Sequence, residues 1–310
     1  MGIPGDIGVP ATENLKLYLS QATLPLMKMP RNVPQLPPSG HRSHNIGLTT
    51  RPERYRRLQF MSQDLGIDIE VDVPNYINRV VPEHPLKEED YDSETGNAIR
   101  IPCNPTFDIP QPHMIPPTDL DRFASWLVYL PLQTVERAMH LVHPKSRPWS
   151  FVYQNGDMDD AHFKYYAWEL APSISNPNGQ ETTAIFPLFN ESRRIRFKDD
   201  ERIWGKLYDI CVSRNCPYFA ITNYYGWVFG VFSKGWSTAF VGKVQKYVDV
   251  TPTILEHLLY WLSSSMDEPG TYRRPEVGNE HIIPPEECPS VVYDVMAKNP
   301  RAALALYLLD

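Results

Sequence analysis

A chain of 310 residues with 42% hydrophobic and 22% charged residues is long enough for one large core or two ordinary ones. Its net charge of −7 excludes a globally basic nucleic-acid binder but leaves room for a local basic groove. The 31 prolines are about twice the ordinary share, and more than half precede residue 120, so the first third is expected to be extended or turning.

The first element is a short helix at "ENLKLYLSQA", with Leu15, Leu19 and Ala22 at helical spacing. Proline then keeps "LPLMKMPRNVPQLPPSGHRSH" extended, and its Leu and Met content favours an arm laid across a core. "RPERYRRLQF" is the most basic cluster. It reads as a solvated helix face balanced by Glu53 and Asp64, with contact to phosphate or RNA as the alternative. "IDIEVDVP" alternates Ile67, Ile69, Val71 and Val73 with Asp68, Glu70 and Asp72, which predicts a half-buried strand with a wet acidic face. An acidic loop, "KEEDYDSETGN", and a proline-punctuated tether over 101–117 close this region. We therefore divide the chain into an extended, proline-rich N-terminal arm, 1–117, and a compact domain, 118–310.

Thr118 and Asp119 cap a helix whose inner face is Leu120, Phe123, Trp126, Leu127 and Leu130. Pro131 is expected to break it and to open a second helix through Leu141. Near the end of that helix His140 and His143 complement its dipole or, alternatively, ligate a metal. "PWSFVYQNGDMDDAHFKYYAWELAP" reads as two strands around an "NGD" turn, and "TTAIFPLFNESRRIRF" as a further strand or strand pair. "DDERIWGKLYDICVSRN" predicts a helix capped by Asp199 or Asp200, with Ile203, Trp204, Leu207, Tyr208 and Cys211 as its buried stripe. "YFAIT", "WVFGVF" and "WSTAFV" predict a three-stranded meander with turns at Asn223–Gly226 and Lys234–Gly235.

Thr251 with Pro252 starts a helix whose stripe is Ile254, Leu255, Leu258, Leu259 and Leu262. Ser263, Ser264 and Ser265 at its end read as surface or capping residues, and "SVVYDVMAKNPRAALALYLL" as two short helices. The fold class that follows is α+β: a mixed, mostly antiparallel sheet flanked by helices, with an extended proline-rich N-terminal region. Cys103, Cys211, Cys216 and Cys288 have neither zinc-ligand nor disulfide-framework spacing and read as reduced thiols. With no secretory n- and h-region and no apolar run long enough for a bilayer, the expectation is a soluble intracellular protein, cytoplasmic or nuclear, without membrane association.

Hairpin, strand, helix, strand, strand is the order between residues 150 and 236, and with Lys206, Tyr208 and "AITNYYGWVFG" it resembles the core of the PD-(D/E)xK nucleases. That resemblance implies two carboxylates holding Mg²⁺ and a Lys that orients the attacking water. Glu191-Ser192-Arg193 is the nearest match to Glu-x-Lys, with Arg193 where the family has lysine; arginine stays protonated and its fork geometry differs from an ammonium. The resemblance thus assigns Glu191, Arg193 and Asp160 to catalysis, and Glu191 and Asp160 to Mg²⁺, with Asp159 and Glu169 as rivals for the second carboxylate. "FAITNYYGWVFGVFSKGW" followed by "TPTILEHLLYWLSSSM" is similar to a group of uncharacterised proteins of mushroom-forming fungi; this resemblance implies an intracellular setting and no particular activity.

Arg194, Arg196 and Lys198 beside Tyr165 and Tyr166, with Lys206 on the following helix, make a positive aromatic surface. Such surfaces serve single-stranded nucleic-acid grooves and protein hot spots alike. There is no GxSxG elbow, P-loop, GxGxxG or HExxH, and His113 and His162 are candidate bases without a neighbouring nucleophile. The favoured function is a non-enzymatic, cofactor-free interaction protein that binds a protein partner through the proline-rich arm and the aromatic/Arg surface. The alternative is a degenerate PD-(D/E)xK-like protein that binds nucleic acid, or a metal-dependent nuclease.

Overall fold

A computed structural model describes residues 15–24, 60–83, 124, 126–155, 164–170, 181–188, 197–278 and 280. In chain order the elements are α1 (Leu15–Gln21), β1 (Phe60–Ser62), α2 (Ile69–Val80) and a π-turn (Val128–Leu132) that runs into α3 (Gln133–Val142). β2 (Trp149–Asn155), β3 (Lys164–Leu170), β4 (Glu181–Leu188) and α4 (Phe197–Ser213) follow. The chain then forms β5 (Tyr218–Thr222), β6 (Gly226–Phe232), β7 (Thr238–Val241), β8 (Gln245–Lys246) and α5 (Ile254–Ser265). The eight strands make one mixed sheet of order β1–β7–β6–β5–β4–β3–β2, with β8 beside β6. β1 runs parallel to β7 and β4 to β5, and the other pairs are antiparallel. The class is α+β with a mixed sheet.

Strand periodicity divides the core in two. On β3, Tyr166 and Trp168 face one way while Tyr165 and Ala167 face the other; on β5 the division is Tyr218 and Ala220 against Phe219 and Ile221. The first set joins α1, α2, α3 and α5 in one apolar cluster, and the second meets Trp204, Leu207, Tyr208 and Cys211 of α4. Every residue of β5 and β6 is buried, as strands covered on both faces must be.

Elements before residue 118 belong to this core. Leu15, Tyr18 and Leu19 of α1 are buried in the cluster that contains Leu258 and Leu259 of α5. The Thr253 hydroxyl donates to the Leu19 carbonyl at 2.6 Å, and the Leu24 N–H to the Tyr247 carbonyl at 3.2 Å. Most of the proline-rich region lies outside the described residues, as do the basic 51–59 run and the C-terminal 281–310 segment.

Several local expectations are corrected. Residues 69–80 form a helix, not a strand: Asp68 is its N-cap and accepts from Glu70 N at 3.1 Å, while Asp72 accepts from Asp68 N at 3.1 Å. This reciprocal capping outweighs the alternation of Ile and Val, and burial follows Val73, Tyr76 and Ile77 while Val71 is 50% exposed. Pro131 does not break its helix, because the π-turn absorbs the missing N–H and the chain continues directly into α3. Asn155 pairs with Lys164, so β2 and β3 are not joined by a tight turn at "NGD". Helix α4 begins at Phe197, ahead of Asp199 and Asp200. Thr253, rather than Thr251, caps α5, in a capping box with Glu256. Among the described residues no helix is long and apolar enough to cross a membrane.

Candidate functional site

Where α2 crosses the C-terminal part of α5, the segment after α5 folds back and leaves a cleft of about 720 Å³. Tyr76 of α2, Tyr260 of α5 and Tyr272 form its floor, and Asn75, Arg79 and Arg273 stand at its rim. Tyr76 and Tyr260 meet edge to face at 5.3 Å, and Tyr272 stacks on Trp261 at 5.4 Å, so the floor is fixed from below. Burial pushes the Tyr76 and Tyr260 phenols up to about 12 and the Tyr272 phenol up as well, so all three present neutral hydroxyls at physiological pH. The buried Tyr272 hydroxyl has no hydrogen-bond partner.

Arg79 closes one end of the cleft. Its guanidinium lies 5.6 Å from the Tyr76 ring centroid and donates to the carbonyls of Pro269 at 3.4 Å and Gly270 at 3.1 Å. Gly270, at φ +76, suits this place twice over: its backbone is left-handed, and a Cβ there would stand 2.0 Å from Arg79 Nη2. Arg273 is exposed at the rim.

Behind the floor, Tyr76 Oη and Ser263 Oγ lie 2.9 and 3.2 Å from His143 Nε2. His143 Nδ1 is 3.7 Å from Glu268 Oε2, whose other oxygen is 2.8 Å from Lys145 Nζ. The order Ser263–His143–Glu268 has the outline of a nucleophile relay, but Ser263 is 0% exposed and competes with Tyr76 for one ring nitrogen. Burial holds the His143 imidazole below its ordinary value, Glu268 opposing and Lys145 assisting, so the ring is neutral and the carboxylate is committed to Lys145. The cluster ties α2, the end of α3 and the end of α5 together without opening to a substrate. Ser263 and Ser264, read from sequence as surface residues, are fully buried.

The residues expected to carry chemistry lie elsewhere. Glu191, Arg193, Asp160, Asp159, Arg194 and Arg196 lie outside the described residues, as do His113 and His162. Lys198 is in α4, with its side chain outside them. Tyr165 and Tyr166 are 6% and 5% exposed and belong to opposite faces of the sheet, so they do not form one aromatic surface. Lys206 is 6% exposed, not a rim residue. Glu169 accepts from the Arg214 guanidinium, from Thr182 Oγ1 at 3.1 Å and from Gln154 Nε2 at 3.3 Å, which uses its lone pairs in a structural clamp.

His140 and His143 are engaged separately: His140 Nε2 faces the Trp149 carbonyl at 3.0 Å and His143 Nε2 the Tyr76 hydroxyl at 2.9 Å, and among the described residues no group of three His, Cys, Asp or Glu could hold a metal ion. Cys211 and Cys216 are free and buried, and burial raises both thiols, which makes them inert packing residues. Sequence reasoning missed Tyr76, Tyr260, Tyr272, Arg79 and Arg273. The adjacent arginines after "GTY" were the one local signal available; the rest depends on bringing α2 against α5. Comparison of the chain with protein-family models, with curated proteins and with solved structures gives no match.

Proposed function

We propose that the protein is a non-enzymatic interaction protein that receives a peptide segment of a partner in the cleft between α2 and α5. The observation that carries this reading is the chemistry of the cleft: neutral tyrosines on the floor and two arginines at the rim, with the nearby histidine already bonded to Tyr76 and Ser263 and the acid to Lys145. Tyrosine rings take up apolar and prolyl side chains, and exposed arginine at the rim recognises a carboxylate. No bond-making step is needed, and no cofactor enters. Selection of displayed peptides on the immobilised protein tests the reading. The expected result is a family of related sequences that bind at least tenfold more weakly to Asn75→Trp, which blocks the cleft, and to Arg273→Glu. Failure to enrich any sequence, or undiminished binding by both variants, contradicts it.

One observation favours a second reading, a degenerate PD-(D/E)xK-like protein that binds nucleic acid. The described order α3–β2–β3–β4–α4–β5, with β4 and β5 parallel across α4, has the outline of that core. Lys164 and Leu188 are register partners, so the segments that carry Asp160 and Glu191 leave from one end of the β3–β4 ladder. The described residues do not make a Mg²⁺ site, since Glu169 is consumed by Arg214 and Thr182. Incubation with DNA and RNA in Mg²⁺ or Mn²⁺, with Glu191→Ala as control, separates the two readings. Salt-dependent retention without cleavage supports the degenerate form; cleavage abolished by the substitution replaces both with an active nuclease.

A further inference from the structure

The β6–β7 turn carries a second constructed feature, separate from the cleft. Trp236 sits there at φ +63, a left-handed conformation rare for a bulky residue, and such outliers persist only where the surroundings impose them. Here the surroundings are visible: the Tyr208 hydroxyl donates to the Trp236 carbonyl at 2.6 Å, and the Arg274 guanidinium lies 5.0 Å from the Trp236 ring centroid. The Trp236 N–H closes the turn on the Ser233 carbonyl at 3.0 Å, and the N–H groups on either side of it, Gly235 and Ser237, bond to one carboxylate, as in an anion-binding nest.

This nest is filled. Glu280 Oε1 accepts from the Ser233 hydroxyl, from Ser237 N–H at 2.9 Å and from the Ser237 hydroxyl at 2.6 Å, three donors on one oxygen. Ser233 Oγ is oriented in turn by accepting from Thr238 N–H at 3.0 Å. Gly235 has no room for a side chain, since a Cβ would stand 2.3 Å from Glu280 Cγ. Around the nest, Lys234 pairs with Glu276, and Arg274 donates to the carbonyls of Phe232, at 2.7 Å, and Ser233. The chain after α5 thus lies on the turn like a ligand, with one arginine and two glutamates as its contacts. Glu280 itself is only half-buried, while Ser233 beneath its carboxylate is 0% exposed. Burial opposes ionisation of Glu280, but the combined hydrogen bonds from Ser233, Ser237 and Gly235 hold it below the usual carboxylate range.

We propose that the β6–β7 turn is a carboxylate-binding site for acidic peptides, and that Glu280 is its resident ligand, which an acidic segment of a partner displaces. Specificity comes from the paired hydroxyls of Ser233 and Ser237 with the turn's N–H groups, and Lys234 adds attraction for a second acid. The site goes beyond the cleft reading, but the two share a strap: Tyr272 and Arg273 line the cleft while Arg274, Glu276 and Glu280 hold the turn.

The test uses the full chain, as wild type, as Glu280→Ala and as Glu280→Ala with Ser233→Ala and Ser237→Ala. The probe is a labelled synthetic peptide of residues 272–284 of this chain, with a second version that carries Gln in place of Glu280. Glu280→Ala is expected to bind the glutamate peptide at least tenfold more tightly than wild type, and the gain is lost with the Gln peptide or the serine variant. Equal affinity of wild type and Glu280→Ala, or indifference to the peptide's glutamate, overturns the proposal. Should Glu280→Ala not fold, hydrogen exchange on wild type decides: saturating glutamate peptide accelerates exchange over 272–278, and no acceleration overturns the site. Inorganic phosphate and a phosphoserine peptide run in parallel; displacement by either extends the ligand class to free or peptide-borne phosphate, with the carboxylate result still required.

Discussion

Under α4, Trp204, Leu207, Tyr208 and Cys211 meet Ile185, Phe219 and Val228; α4 also buries Lys206 and Asp209, and on the sheet Glu169 is clamped by Arg214. Under α5 an equally buried apolar cluster also encloses His257, Glu256 and Ser263, with His143 and Glu268 at its edge. His257 is the extreme case. Its ring stacks on Phe229 at 3.7 Å, neither ring nitrogen has a hydrogen-bond partner, and burial alone lowers it to about 3. The difference teaches that the α4 half is held mainly by apolar burial with no buried histidine among its described residues, while the α5 half is conditional, holding only as long as the imidazoles of His257 and His143 stay neutral. The candidate cleft lies on the conditional half.

The largest expected effect breaks the apolar half. Leu207→Ala removes a fully buried side chain between α4 and the sheet and is expected to destabilise by about 3–4 kcal/mol, by the same amount at pH 5 and pH 7, in urea titrations. A loss that depends on pH would erase the contrast between the halves.

The next sharpens the conditional half. Because the folded His257 titrates below the unfolded value of about 6.5, the unfolded chain binds the extra proton as pH falls, and stability drops from that point toward pH 3. His143 is shifted in the same direction. Replacing His257 with Phe is expected to remove up to about 1.4 kcal/mol per pH unit of this slope, roughly 2 kcal/mol by pH 5. Parallel stability–pH curves for wild type and variant would show that the imidazole is not buried as described.

Thr253→Ala removes both the capping box of α5 and the hydrogen bond to the Leu19 carbonyl, with an expected loss of about 1–2 kcal/mol and faster amide exchange in α1. The smallest effects belong to the cleft rim, where Asn75→Trp and Arg273→Glu are expected to leave stability within about 0.5 kcal/mol while changing what the surface binds.

Much of the fold was legible because local periodicity and burial agree. The meander of β5, β6 and β7 and the stripes of α4 and α5 carry large apolar residues at the spacing their geometry requires. Residues 67–73 misled, since an alternating Ile/Val pattern fits a strand while Asp68 and Asp72, read as a wet face, are the capping groups of a helix. The cleft could not be read in the same way. Tyr76, Tyr260 and Tyr272 come from α2, α5 and the strap, and His143 meets Tyr76 and Ser263 across 67 and 120 residues of chain. The acidic nest was hidden for the same reason: "SKGWS" is an ordinary turn until Glu280 is placed on it.

The central claim is that binding resides in the tyrosine-floored cleft. The most direct measurement is the affinity of a selected peptide for wild type and for Asn75→Trp, taken with their melting temperatures. The account predicts at least a tenfold loss of affinity with unchanged melting temperature; equal affinity in the two proteins would contradict it.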